Sequence, residues 1–190
     1  MKKILVLGAS SIQYPVIEKC KSLGYYTIVA DYDKNAPGLK IADLPLIIST
    51  NDLEEVLKHA ELNKIDGILT TSDFPVRTVA YVSDKMNLTG LSEYTAEVST
   101  NKYLQREILT KSGVNCPGFK LVSSVKDIEN FTERYGYPLI IKPLNSSGSR
   151  GVSKISHIED IKKALNFALE YSSEDKVIIE EFIGGNEYSV

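Results

Sequence analysis

The stretch YGYPLIIKPLNSSGSRGV, from Tyr135 to Val152, carries an apolar run into a lysine and then at once into a loop of small polar residues. PLIIKP has the length and composition of a short buried strand, so Lys142 stands at a strand end. Asn145, Ser146, Ser147, Gly148, Ser149, Arg150 and Gly151 follow it. Small residues let backbone N–H groups turn toward an anion, hydroxyls add donors, and Lys142 and Arg150 supply positive charge. The loop suits a polyphosphate, but it is not GxxxxGK[ST], because here the lysine precedes the glycines. On its own the stretch also reads as a solvated hairpin loop with an edge lysine.

Working outward, Phe119 to Val122 is expected as a strand, followed by a helix capped by Ser124 with Val125, Ile128 and Phe131 inward and Gly136 as its stop. After the loop come a strand near Val152 to Ile155 and a helix opened by a Ser156 and Glu159 capping box. Ile158, Ile161, Leu165 and Leu169 would form its apolar stripe. KVIIEEFI is the last strand. The order β-α-β-β-α-β implies a small α+β sheet with helices on one face. Glu180 and Glu181 close that strand, which should put a carboxylate near the sheet's edge, where an adenine amino group could donate to it. Glu187, past the Gly184-Gly185 turn, could accept from ribose hydroxyls; a polar turn with solvated acids fits the same residues. NEYSV still alternates as a strand would, so further chain or a partner strand is expected after Val190.

The N-terminal half reads differently. Ile4 to Leu7, Thr27 to Ala30, Leu44 to Ile48 and Gly67 to Thr70 look like buried strands. PVIEKCKSLG has Pro15 in its first turn, Val16, Ile17, Cys20 and Leu23 on one face, and Gly24 as its stop. In NDLEEVLKHA, Asn51 and Glu54 have capping-box spacing before the stripe of Leu53, Val56, Leu57 and Ala60. Strands and helices alternating this closely predict a doubly wound parallel sheet. From about Thr95 the pattern changes to a helix through Lys102, Leu104, Ile108 and Leu109, stopping at Gly113 before Cys116-Pro117-Gly118. The expected division is residues 1–95, a linking helix over 96–113, and a second unit over 114–190.

Composition narrows the function classes. A hydrophobic share of 43% with 25% charged residues argues against disorder and membrane spans, and a net charge of −3 without basic runs argues against polyanion partners. Cys20 and Cys116 lie far apart without metal-ligand spacing, which predicts reduced thiols. MKKILVLGAS is too short in its apolar part for a signal peptide and reads as a first strand in a cytoplasmic protein. His59 and His157 have no carboxylate or cysteine partner in view, so each reads as a surface or capping residue. The eleven tyrosines are scattered and form no stacking platform.

GASSIQYP, after the first strand, invites a dinucleotide reading with Asp31 as ribose acceptor, yet GxGxxG is absent, since Ser10 stands at the second glycine position. Thr70-Thr71-Ser72-Asp73 ends the fourth strand, where open α/β sheets bind ligands; Asp73 could face a substrate or cap the helix after Pro75.

Taken together, Lys102 in a helix, Gly113 and Pro117 after it, GYPLIIKP, the NSSGSRG loop and EEFIGGNEYSV resemble the ATP-grasp enzymes along the whole chain. The pattern is most similar to carbamoyl-phosphate synthase large-subunit-like proteins, with biotin carboxylase and the purine-pathway carboxylate ligases as relatives. The resemblance implies a pre-ATP-grasp, Rossmann-like domain over 1–95 and an ATP-grasp lid subdomain from 114. It implies that Lys102 and Lys142 contact the α and β phosphates and that Ser146, Ser147, Gly148, Ser149, Arg150 and Gly151 close over the β and γ phosphates. Glu180 would meet the adenine amino group, the main chain from Glu181 through Phe182 to Ile183 the adenine edge, and Glu187 the ribose. Ser10, Ser11 and Asp73 would border the acceptor substrate.

The implied activity is ATP-dependent activation of a carboxylate or bicarbonate as an acyl phosphate, attacked by an amine or ammonia. The alternatives are a non-catalytic nucleotide-sensing module and an NAD-binding Rossmann protein. Expected partners are ATP, a small carboxylate or bicarbonate and an amine, with no nucleic acid and no membrane; a homodimer is an admissible assembly. The family places its magnesium carboxylates, an asparagine and an arginine downstream of the ribose glutamate, so neither metal ligands nor catalytic residues are expected within these 190 residues, which alone should not turn over.

Overall fold

The computed structural model describes residues 1–186 and 188, and the chain divides into two compact units, Met1–Thr100 and Asn101–Val190. The stretch expected as one linking helix holds two, Glu93–Thr100 in the first unit and Lys102–Lys111 in the second.

The first unit runs β1 (Lys3–Leu7), α1 (Tyr14–Ser22), β2 (Tyr26–Asp31), a 3-10 turn (Pro37–Lys40), β3 (Leu44–Ile47), α2 (Leu53–Asn63), β4 (Gly67–Thr70), α3 (Val76–Lys85) and α4 (Glu93–Thr100). The strands form one parallel sheet in the order β3-β2-β1-β4. Alternate residues of β1 and β2 supply two cores. Leu5, Leu7, Ile28 and Ala30 pack with Val56 and Ala60 of α2 and Val82 of α3, while Val6 and Val29 pack with Ile17 of α1 and Leu39. Helices on both faces explain why these strands read as continuous apolar runs. This is a doubly wound sheet.

Three local expectations shift. Leu23 is 55% exposed, because α1 ends at Ser22 and the chain has already turned away from the sheet. Asp52, not Asn51, caps α2, its carboxylate accepting from the Glu55 amide at 3.1 Å. His59 does have a carboxylate neighbour, Glu55 Oε1 at 3.2 Å from its Nε2, one helical turn earlier.

The second unit runs α5 (Lys102–Lys111), β5 (Phe119–Val122), α6 (Val125–Tyr135), β6 (Leu139–Pro143), β7 (Ser153–Ile155), a 3-10 turn (Ile158–Asp160), α7 (Ile161–Glu170) and β8 (Val177–Glu181). Its sheet has the order β5-β8-β6-β7 with antiparallel neighbours throughout. Val122, Leu139, Ile141, Ile155, Val177 and Ile179 point to one face, where Ile128 and Phe131 of α6 and Ile161, Leu165 and Ala168 of α7 cover them. Burying each such leucine or isoleucine contributes roughly 1.5–3 kcal/mol. Ser124 and Asp127 form the capping box of α6. At α7 the cap lies one residue later than Ser156 and Glu159: the Asp160 carboxylate accepts from the Ser156 and His157 amides, and Ile158, in the 3-10 turn, is 57% exposed. The glutamate strand β8 is interior rather than at an edge of the sheet. Among the described residues no helix is long and apolar enough to cross a membrane.

Candidate functional site

Period-two alternation decides which side chains meet on the face of the second sheet that α6 and α7 leave open. Ile140 pairs with Glu180 and Lys142 with Ile178, so Lys142 and Glu180 are diagonal neighbours on that face. Lys142 Nζ lies 2.6 Å from Glu180 Oε2. Helix α5 reaches the same face. Asn101 caps it, accepting from the Tyr103 and Leu104 amides; Tyr103 packs edge-on against Phe119 of β5 at 5.6 Å; and Arg106 Nε donates to Glu180 Oε1 at 2.7 Å, with its Nη2 3.5 Å from Oε2.

Glu180 is 5% exposed. Burial pushes its carboxyl up, but the Arg106 guanidinium and the Lys142 ammonium together outweigh burial and hold it below the ordinary glutamate value. Arg106 is raised in turn, chiefly by the same hydrogen bond. Two cations against one carboxylate leave the cluster with net positive charge.

Lys102, one helical turn before Arg106, faces the loop. Its amide donates to the Leu144 carbonyl at 3.0 Å and its Nζ to the Ser146 carbonyl. The loop itself turns through three left-handed residues, Gly148 (φ 66°), Ser149 (φ 58°) and Gly151 (φ 76°). At Gly151 a Cβ would sit 2.6 Å from Pro143 Cγ, so no side chain fits there. Arg150 Nε donates to the Ser147 carbonyl at 3.3 Å, the Ser146 hydroxyl lies 3.5 Å from that same carbonyl, and Ser173 ties Asn145 at 2.8 Å.

Beyond Glu180, the Glu181 amide donates to the Gly118 carbonyl at 2.8 Å and its carboxylate accepts from the Gly118 amide at 3.2 Å. Phe182 lies under Lys154, whose Nζ is 3.8 Å from the ring centroid, and Ile183 is 62% exposed. Glu187 lies outside the described residues.

The structure therefore gathers Lys102, Lys142, Glu180 and the Ser146 to Gly151 loop around one face of one unit. It adds Arg106, which sequence reading missed. The signal was present: Arg106 stands four residues after Lys102, so any helix face that aims one at the sheet aims the other.

In the first unit, the loops after β1 and β4 flank the point where the chain's path across the sheet reverses, the usual ligand position in open α/β sheets. Ser11 and Asp73 are exposed there. Ser10 is also exposed, and its hydroxyl donates to Gln13 Oε1 at 2.6 Å while accepting from the Ile12 amide. Asp73 does not cap α3, which starts at Val76 after Pro75 without a side-chain cap. Asp31 binds the Ala9 and Asp33 amides through one oxygen each, so its carboxylate fastens the β1–α1 loop to β2 rather than standing open for a ribose. Among the described residues no three His, Cys, Asp or Glu side chains converge to hold a metal.

Residues 108–190 match the family model of the D-ala D-ala ligase C-terminus. The formate-dependent phosphoribosylglycinamide formyltransferase of Prochlorococcus marinus subsp. pastoris is 31% identical over 188 residues, covering 96% of this chain and 48% of that protein. Phosphoribosylglycinamide synthetase from Anaerococcus prevotii matches in structure with a TM-score of 0.68 at 27% identity, over 97% of this chain and 46% of that one. The biotin carboxylase domain of Hydrogenobacter thermophilus 2-oxoglutarate carboxylase matches with a TM-score of 0.80 at 21% identity, over 96% and 44%, which is a likeness of fold. The chain spans about half the length of the relatives it matches. In sequence and in fold the chain is thus similar to ATP-grasp proteins.

Proposed function

We propose that the face of the second sheet opposite α6 and α7 binds ATP for a ligase that activates a carboxylate or bicarbonate as an acyl phosphate, to be attacked by an amine or ammonia. The observation that carries this reading is the placement of Lys142 and Glu180 side by side on one face, within reach of the small-residue loop. Lys102 and Lys142 would bind the α and β phosphates, and Ser146 to Gly151 the β and γ phosphates, where preorganised donors offset charge that develops in transfer. Glu180 would accept from the adenine amino group. The Glu181 amide is already bonded to Gly118, so the adenine edge falls to the Glu181 carbonyl and the Ile183 amide. Glu187 would hold the ribose. Magnesium would arrive with the nucleotide and neutralise phosphate charge, with its protein ligands elsewhere than in this cluster. The loops bearing Ser10, Ser11 and Asp73 would border the acceptor, in a cytoplasmic enzyme that would assemble as a homodimer.

The test is nucleotide titration by calorimetry, followed by carboxylate-dependent ADP release, both in the full-length gene product. ATP should bind in preference to NAD, and Lys142→Met should weaken ATP by about tenfold to a hundredfold, the loss of one charge-assisted phosphate contact. Preference for NAD, or ATP binding indifferent to Lys142, would refute the proposal. ATP binding without carboxylate-dependent ADP release would point to a sensing module instead.

A further inference from the structure

We propose that Arg106 is a positioning residue of the nucleotide site, holding Glu180 charged and in place when Lys142 exchanges that carboxylate for phosphate. The inference rests on the ATP reading above and deepens it.

The two oxygens of Glu180 are divided between two cations of different kinds. Arg106 holds Oε1 at 2.7 Å through Nε, and Lys142 holds Oε2 at 2.6 Å. A guanidinium presents fixed donors from a planar fork, whereas an ammonium on a four-carbon stem swings readily to a new anion. Lys142 is therefore the partner that can leave. A polyphosphate at the neighbouring loop offers it a higher density of negative charge than a carboxylate already shared with Arg106.

Departure of Lys142 frees Oε2 while Oε1 stays bonded. The freed oxygen is an acceptor on the face that carries Lys142, suited to the exocyclic amino group of a base and repelled by a ring carbonyl in the same place. Without Arg106 the same move would strand a carboxylate that is only 5% exposed, with no partner on either oxygen. Two outcomes are then open to the cluster: Lys142 stays locked on Glu180 and phosphate affinity falls, or Glu180 takes up a proton and ceases to reject a carbonyl. Arg106 thus governs both affinity and base choice without touching the nucleotide. Its place on α5, one turn after Lys102, links the phosphate-facing and base-facing ends of the site through one helix.

The experiment measures ATP and ITP affinity in the full-length gene product for the wild type and for Arg106→Met, Arg106→Lys and Lys142→Met. ITP carries a carbonyl where ATP carries the amino group. Arg106→Met should bind ATP about tenfold to a hundredfold more weakly and lose most of the ATP preference over ITP. Arg106→Lys, which keeps a charge but not the fork, should restore the preference and most of the affinity. Arg106→Gln replaces the methionine variant if that one does not fold. Equal losses for ATP and ITP with an unchanged ratio, no loss at all, or a lysine variant no better than the uncharged one would each overturn the inference. Failure of the wild type to bind ATP would overturn the ATP reading itself, and the inference with it. Binding that needs Lys142 but ignores Arg106 would overturn the inference alone.

Discussion

Removing both cations from Glu180 should reverse the sign of that carboxyl's contribution to the pH dependence of the second unit's stability. In the wild type the Glu180 carboxyl is held below its unfolded value, so its contribution is present above the unfolded pKa of about 4.3 and is lost as pH falls through the folded value. In an Arg106→Met, Lys142→Met double variant only burial remains, and burial raises a carboxyl. The folded value then lies above the unfolded one. The contribution of Glu180 is then greatest below about pH 4.3 and declines as pH rises through the folded value. Either single variant leaves one charged hydrogen bond in place and should lose about 1.5–3 kcal/mol near neutral pH. The double variant strands a carboxylate that is 5% exposed and should lose about 3–5 kcal/mol, part of it recovered in acid. Urea unfolding with pulsed hydrogen exchange, read on peptides covering 139–143 and 177–181, follows this unit separately from the first. The difference between double variant and wild type, plotted against pH, cancels the other carboxylates. A difference curve that is flat, or that deepens as pH falls, would show that these two cations do not set the state of Glu180.

Two further expectations follow from single residues. Gly151→Ala forces a side chain onto φ 76° and to within 2.6 Å of Pro143 Cγ, and should lower stability by about 1–3 kcal/mol, read as a lower urea midpoint with an unchanged slope. Asp43 is held down to about 2 by the Lys21 ammonium and then by the Thr27 amide, so it stabilises the first unit above its unfolded value of about 3.9 and ceases to as pH falls through about 2. Carbon-detected NMR should find that midpoint near 2, and Lys21→Met should move it upward.

The fold was legible where apolar period and strand length agree, as in the ILVL, TIVA and LIIKP runs, because burial on both faces or on one face leaves its mark directly in residue order. The Ser124 cap was legible as it stands, but the caps before α2 and α7 only to within one residue. Asn51 and Asp52, and the Ser156 and His157 starts, offer neighbouring candidates of similar chemistry, and the choice depends on how the preceding loop delivers the chain. The interior position of β8 was not legible, since strand order depends on pairing across long separations that no local pattern encodes. Lys142 and Glu180 stood out by residue type at strand ends, and Lys102 through the family resemblance. Arg106 was passed over because its partner lies 74 residues away, and α5, which has no fully buried residue, resembles a solvent helix in sequence.

The strand order β5-β8-β6-β7 also governs how the second unit can be assembled during synthesis. The segments made early, β5 and β6, are not neighbours; the place between them belongs to β8, made after both. Until residue 181 has cleared the ribosome exit tunnel, the nascent sheet has a vacant slot at its centre, bordered by two unpaired strand edges, and Arg106 and Lys142 have no carboxylate to meet. The first unit carries its own adjacent parallel pairs and has no such dependence. The first sheet can thus close before the second, whose charged cluster and core close together when β8 enters.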